Sequence, residues 1–252
     1  VWQAGKLNLV PDARSPMIAP RLDGVYRNIY APSAVETPEG WQLFYGAWDG
    51  VPTGNDRIYR VLTSDFLNFS EWQIVIEHGP FQHVCNVSAV RDSDRSVHML
   101  CTAYPVGSGL NKPAAFTIDT RSNSAATGGT GTPLPIVPSN DDIATIEGYE
   151  PFAAADMNGV NTLLFDDGQY RLYFGDFKNW GKVYRAVSTD GKHFRFEGVA
   201  LPAPLMVNDV KKFTPQGRPC YLMGLHANTD RLWYALSTDG ERFEPQRELI
   251  TS

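Results

Sequence analysis

Ser188-Thr189-Asp190-Gly191-Lys192-His193-Phe194 recurs 49 residues later as Ser237-Thr238-Asp239-Gly240-Glu241-Arg242-Phe243, and Ser64-Asp65-Phe66-Leu67-Asn68-Phe69 is an earlier echo. Each copy follows a strand-like run: Ile58-Tyr59-Arg60-Val61-Leu62, Val183-Tyr184-Arg185-Ala186-Val187 and Leu232-Trp233-Tyr234-Ala235-Leu236. A period of roughly 40 to 50 residues made of short strands is the signature of a propeller blade. A propeller gathers its ligand-facing loops on one face around the axis, so the repeat also says where to look for a site.

Around the tags, four hairpin-rich units can be laid over one another. The first has expected strands at Ala31–Glu36, Trp41–Trp48, Arg57–Thr63 and Trp72–Glu77, with the turn Thr37-Pro38-Glu39-Gly40 closing its first hairpin. The second has Asn86–Arg91 and Val97–Tyr104 around the polar turn Asp92-Ser93-Asp94-Arg95. The third has Thr162–Phe165, Tyr170–Gly175, Lys182–Val187 and Phe194–Val199, and its first turn is Asp166-Asp167-Gly168. The fourth has Asp209–Phe213, Cys220–Leu225, Arg231–Leu236 and Phe243–Leu249. Second strands alternate aromatic or aliphatic with other residues and end near a glycine, as in Tyr45-Gly46, Phe174-Gly175 and Met223-Gly224. Residues Thr120 to Pro138, rich in Ser, Ala, Thr, Gly and Pro, read as a flexible insertion in the second unit. No segment carries a helical stripe. Residues 1–252 are read as a single all-β domain, a β-propeller with four clear blades, and part of a fifth is expected from Val1 to Gly24 or from strands beyond this sequence.

Composition supports this class and narrows the partners. Of 252 residues, 42% are hydrophobic and 12% aromatic, enough for stacked sheets and for sugar-binding surfaces. The net charge is −6 and basic residues form no stripe, which argues against nucleic acid. No apolar run is long enough to span a membrane as a helix. Three cysteines, Cys85, Cys101 and Cys220, make no disulfide framework, although Cys85 and Cys101 fall on hairpin partners. No metal-ligand spacing appears, so no metal or cofactor is expected. The expected compartment is secreted or periplasmic, with the cytoplasm as the alternative.

Unit three, Asn161-Thr162-Leu163-Leu164-Phe165-Asp166-Asp167-Gly168-Gln169-Tyr170-Arg171-Leu172-Tyr173-Phe174-Gly175, resembles a blade of the five-bladed β-propeller glycoside hydrolases of the furanosidase superfamily, the arabinanase, xylosidase and invertase-like enzymes. Tyr30-Ala31-Pro32-Ser33, followed by Gly40-Trp41-Gln42-Leu43-Phe44-Tyr45, is similar to another of their blades. The resemblance covers residues 28 to 249 in pattern. It implies carboxylate chemistry in a central funnel and an oligosaccharide or polysaccharide substrate. The chain departs from the family where it matters most. Overlaying the units by their first hairpins puts Ala31, Asn86, Asn161 and Asp209 at one axial position, and only one of these is an acid. Ser33 stands where the family often has Asp. The tag also resembles the Asp-box of sialidases, one residue short between Asp and the aromatic.

Glycoside hydrolysis needs two carboxyl groups across the scissile bond, roughly 5 Å apart for retention and up to about 9 Å for inversion. Asp209 is the expected base or nucleophile, because it takes the axial position. Glu150 and Glu147 are candidate general acids, since a carboxyl beside Tyr149 and Phe152 could have a raised pKa. Asp49 and Asp176, at second-strand ends, are expected to bind sugar hydroxyls. Asn28, Asn86, Asn158, Asn161 and Asn208 cluster at first-strand starts, and Asn both donates and accepts hydrogen bonds, as hydroxyls require. His83 and His226 fall on the same expected face, and Tyr30 and Trp48 could stack on a sugar ring. The leading expectation is a glycoside hydrolase acting on a furanoside or related glycan. The alternative is a glycan-binding propeller without catalysis, favoured by an axis poor in acid. A protein-interaction propeller would show broad apolar patches instead of a polar funnel.

Overall fold

The structure is a computed structural model that describes residues 8–10, 12–20, 28–48, 56–120, 134–157, 162–227, 229 and 231–251. Its strands form four radial sheets. Blade one is β2 (Asn28–Thr37), β3 (Gly40–Trp48), β4 (Arg57–Thr63) and β5 (Gln73–Ile76). Blade two is β6 (His83–Ser93), β7 (Ser96–Tyr104) and β8 (Lys112–Asp119). Blade three is β10 (Thr162–Asp166), β11 (Gln169–Phe174), β12 (Val183–Ser188) and β13 (His193–Leu201), with β9 (Thr145–Glu147) added in parallel at its outer edge. Blade four is β14 (Met206–Phe213), β15 (Cys220–His226), β16 (Leu232–Ser237) and β17 (Arg247–Thr251), with β1 (Asn8–Leu9) parallel to β17.

The expectation of five blades is corrected to four among the described residues. Among the described residues of the N-terminal segment, Asn8–Leu9 form one short edge strand, β1, paired with β17. The insertion also behaves differently at its end: Ile136 bridges Ile76 in parallel and so extends blade one, while residues 121–133 lie outside the described residues. Strands β8 and β9 are additions to the sequence pattern, and the last strand starts at Arg247, four residues later than expected.

Strand parity explains the stacking. Alternate side chains of a strand point to opposite faces, so blades two and three each pack a neighbour on both. On β3, Phe44 joins a core with Val97, Met99 and Cys101 of blade two, while Leu43, Tyr45 and Ala47 face the other way. On β7, Leu100 turns to blade three and packs with Leu163, Leu172 and Phe174. On β11, Tyr173 turns to blade four and meets Tyr221, Met223 and Phe243. Buried cores therefore join blades one to two, two to three and three to four. Among the described residues no buried hydrophobic cluster joins blade four to blade one. The outward side of blade one is covered by Trp41, Phe66, Phe69 and Trp72 of its own chain.

The repeated tags are one turn used three times. In blade three, Ser188 Oγ accepts from Gly191 N at 2.9 Å, and Asp190 Oδ1 accepts from Lys192 N and His193 N at 2.9 and 2.8 Å. Ser237, Asp239 and Gly240 repeat this in blade four. In blade one the set is Thr63, Asp65 and Phe66, so Thr63 and not Ser64 matches Ser188. Backbone N–H donors from Asn68 and Leu67 hold the Asp65 carboxyl down at about 2. The tag glycines have φ of +75° and +72°, and Phe66 has +55°. Ser188 lies opposite Tyr170 at the start of β11, so the tags mark the face away from the starts of the inner strands.

Candidate functional site

The inner strands β2, β6 and β14 share a local defect near their starts. Each gains one residue against its partner: between Tyr30 and Ser33, between Cys85 and Ser88, and between Val207 and Asp209. Such bulges bend a strand and re-aim its side chains. Ala31 and Asn86 sit at φ +47° and +55°, a region unfavourable for residues with a Cβ and often retained at functional sites. Matched by their bulges, Ala31, Asn86 and Asn208 are equivalent, so Asn208 takes the place that the hairpin overlay gave to Asp209.

These bulges line a cavity of about 490 Å³ on the axis, walled by Tyr30, Ala31, Pro32, Asn86, Val87, Val207, Asn208, Asp209 and His226. Five residues singled out from the sequence, Tyr30, Asn86, Asn208, Asp209 and His226, therefore meet at one place. Asp209 is half-exposed, with Lys211 Nζ 3.0 Å from its carboxylate and its own strand donating Val210 N at 2.8 Å. Burial lowers the His226 pKa, so its ring is neutral at pH 7. Its Nδ1 is buried, with no hydrogen-bond partner among the described residues.

Behind the cavity wall lies a polar cluster in which Tyr30 and His83, both singled out from the sequence, meet Asp56, which sequence reasoning missed. Asp56, directly before β4, is buried. One carboxylate oxygen accepts from the Tyr30 hydroxyl, and the other lies 2.5 Å from His83 Nδ1. Val84 N donates to the Asp56 carbonyl at 3.2 Å, which ties blades one and two at this point. Burial, with Cys85 and Asp56 adjacent, pushes the Tyr30 hydroxyl far above its ordinary pKa, so it stays protonated and donates. Burial next to Asp56 pushes the Cys85 thiol up to about 12, so it is inert as a nucleophile at neutral pH. Gly46 faces Tyr30 across the β2–β3 pair, and a Cβ there would lie 2.9 Å from the tyrosine ring. The Tyr-Gly ending of the second strand was the available signal: it makes room for Tyr30 against the Asp56 wall. An aspartate that receives the Nδ1 proton of His83 leaves Nε2 as the nitrogen able to accept or deliver a proton.

The other candidates are placed elsewhere. Glu147 lies on β9 opposite Arg195, at the outer edge of blade three, and Glu150 is exposed on the loop that follows. Asp176 is buried at 1% exposure and accepts from Tyr149 Oη, Asp156 N, Lys178 N and Asn179 Nδ2. Its oxygens are taken up in joining two loops. Asn28 and Trp48 pair across β2–β3 and are not among the residues lining the cavity. Asp49, Asn158 and Asn161 lie outside the described residues. Among the described residues, no group of three or more His, Cys, Asp and Glu side chains could hold a metal ion.

No family model matches the sequence, and no curated protein matches it. The fold, in contrast, has many solved counterparts. A glycosyl hydrolase from Bacteroides ovatus superposes over 98% of this chain and 80% of its own, with a TM-score of 0.62 and 12% identity. A structure described as showing that the GH130 family of mannoside phosphorylases contains glycoside hydrolases acting on β-1,2 mannosidic linkages in Candida mannan has a TM-score of 0.55 at 12% identity, over 95% of this chain and 81% of that one. The sialidase of Trypanosoma rangeli, bound to the inhibitor DANA, has a TM-score of 0.53 at 11% identity; 88% of this chain is covered but only 38% of the sialidase. These three structures are described as glycoside hydrolases, and at these identities the likeness shows a shared propeller fold.

Proposed function

We propose that the chain is a carbohydrate-active propeller that binds and hydrolyses a neutral glycan in its axial cavity, a furanoside in the reading the sequence favours. The observation that carries this is the convergence of Tyr30, Asn86, Asn208, Asp209 and His226 on one cavity, backed by the Asp56–His83 pair. Asn86 and Asn208 offer hydrogen bonds to sugar hydroxyls. Asp209 is the carboxylate among the described lining residues, and it would accept a proton from the attacking water. As that water bonds to the anomeric carbon, the glycosidic C–O bond breaks and the leaving oxygen takes a proton. His83 lies behind the cavity wall and does not line it, so that proton comes from water in the open cavity. The described lining contains no arginine, which disfavours a carboxylate-bearing sugar such as a sialic acid. Secretion or a periplasmic location goes with this proposal.

A second reading is a glycan-binding propeller without turnover. It is favoured by Lys211, which lies 3.0 Å from Asp209 and already neutralises that carboxylate. Aryl furanosides, arabinan and yeast mannan, assayed for product release and by calorimetry, separate the two. Hydrolysis reduced roughly a hundredfold or more by Asp209→Asn supports the enzyme. Calorimetric binding with no product supports the second reading. Neither binding nor product across the panel overturns both.

A further inference from the structure

Blade three carries an aromatic surface that none of the preceding site accounts for. Phe177 and Trp180 stack with ring centroids 5.8 Å apart and planes 11° from parallel, and remain 38% and 45% exposed. Phe152, on the neighbouring loop, is fully exposed. Large aromatics gain by burial, so three held out in water on adjacent loops mark a surface meant to be covered.

These loops are built to be stiff. Asn179 clasps Ala153 twice, accepting from its N–H at 3.0 Å and donating to its carbonyl at 2.8 Å. Asp176 gathers four donors from both loops, and Phe177 N donates to the Asp156 carbonyl at 3.0 Å. Asn111, in the loop before β8, fastens the same Asp156 to blade two. The buried Asp176 carboxylate thus fixes the loops from which the aromatics project.

The surface also faces the right way. Thr162, at the start of β10, pairs with Tyr173 near the end of β11. The loop leaving β11 and the loop entering β10 therefore open on the face where the inner strands begin, the face of the axial cavity. We propose that Phe177, Trp180 and Phe152 form a stacking subsite for a sugar ring of a neutral polysaccharide whose chain runs from the axial cavity across blade three. The proposal rests on the glycan reading of that cavity. Two near-parallel rings offer a flat apolar face to the C–H groups of a pyranose or furanose ring, while its hydroxyls stay in water.

Native gels cast with arabinan, yeast mannan or xylan test it by retardation of the full chain. Trp180→Ala and Phe152→Ser should each weaken retardation roughly fivefold to tenfold, and Trp180→Phe should restore most of it. Unchanged melting temperatures would show that the variants fold. The cavity variant Asn86→Ala, run alongside, separates the two sites. If the chain is retarded and Trp180→Ala is retarded equally, the subsite is wrong and the cavity reading stands. If no polysaccharide retards the chain, both fall together. Self-association that Trp180→Ala abolishes, measured by sedimentation, would assign the surface to a second copy and overturn the proposal.

Discussion

Asp56 is one carboxylate with two donors and little water, and its energetics follow from that. Its oxygens hold His83 and the Tyr30 hydroxyl, and removing them strands both partners. Asp56→Ala should therefore cost roughly 2–4 kcal/mol, more than a surface aspartate, as read by urea unfolding. Asp56→Asn, which still fills the space, should cost less. Tyr30, Asn86, Asp209 and His226 were legible because they fall at the starts of inner strands or the end of a second strand, positions that a repeat fixes. Asp56 was not, because nothing in Asp56-Arg57-Ile58 distinguishes a buried acid from a solvated one before a strand. Only the approach of blade two, through His83 and Val84, buries it. Glu147 failed for a similar reason: β9 pairs with β13, a non-local contact that no local pattern announces.

Among the elements, the tag turn serves two purposes. Its Ser and Asp cap backbone N–H groups within the turn, and its glycine is where the preceding blade docks. His98 Nε2 lies 3.0 Å from the Gly191 carbonyl, and a Cβ on Gly191 would come within 2.3 Å of that nitrogen. Tyr173 reaches Gly240 O in the same way at 2.7 Å. Gly191→Ala should then cost roughly 2–4 kcal/mol, from positive φ and overpacking together. Gly168→Ala is the control. Its φ is also +75°, but nothing lies within 4 Å of the added Cβ, so about 1 kcal/mol is expected. Matching losses in urea melts would refute a docking role for Gly191. Blade one uses Phe66 at the same turn position, and the ring packs on Trp41 of its own blade at 5.2 Å.

Across the assembled ring of blades, stability is carried by the seams between consecutive sheets. Leu172 is fully buried in the core that joins blades two and three. Leu172→Ala should cost roughly 2–5 kcal/mol. Because neighbouring blades share their cores, the loss should shift one common transition. Circular dichroism and tryptophan fluorescence traces that separate in the variant would contradict this. Five blades were expected from family resemblance. Among the described residues the count is four, and Asn8–Leu9 join the edge of blade four, which is again a long-range choice.

The blade itself is written in the sequence. Alternating strands, paired turn residues and a repeated Ser-Asp-Gly cap are local, and local hydrogen bonds and parity enforce them wherever the chain is placed. Folding in three dimensions settled which carboxylates face the axis, which are buried as struts, and how the ring is populated. Those outcomes depend on contacts between residues tens of positions apart, where burial of one side chain is set by another blade. The tag that reveals the fold lies on the face opposite the cavity. The bulges at the other end of the same repeat shape the site, and no sequence period marks a bulge.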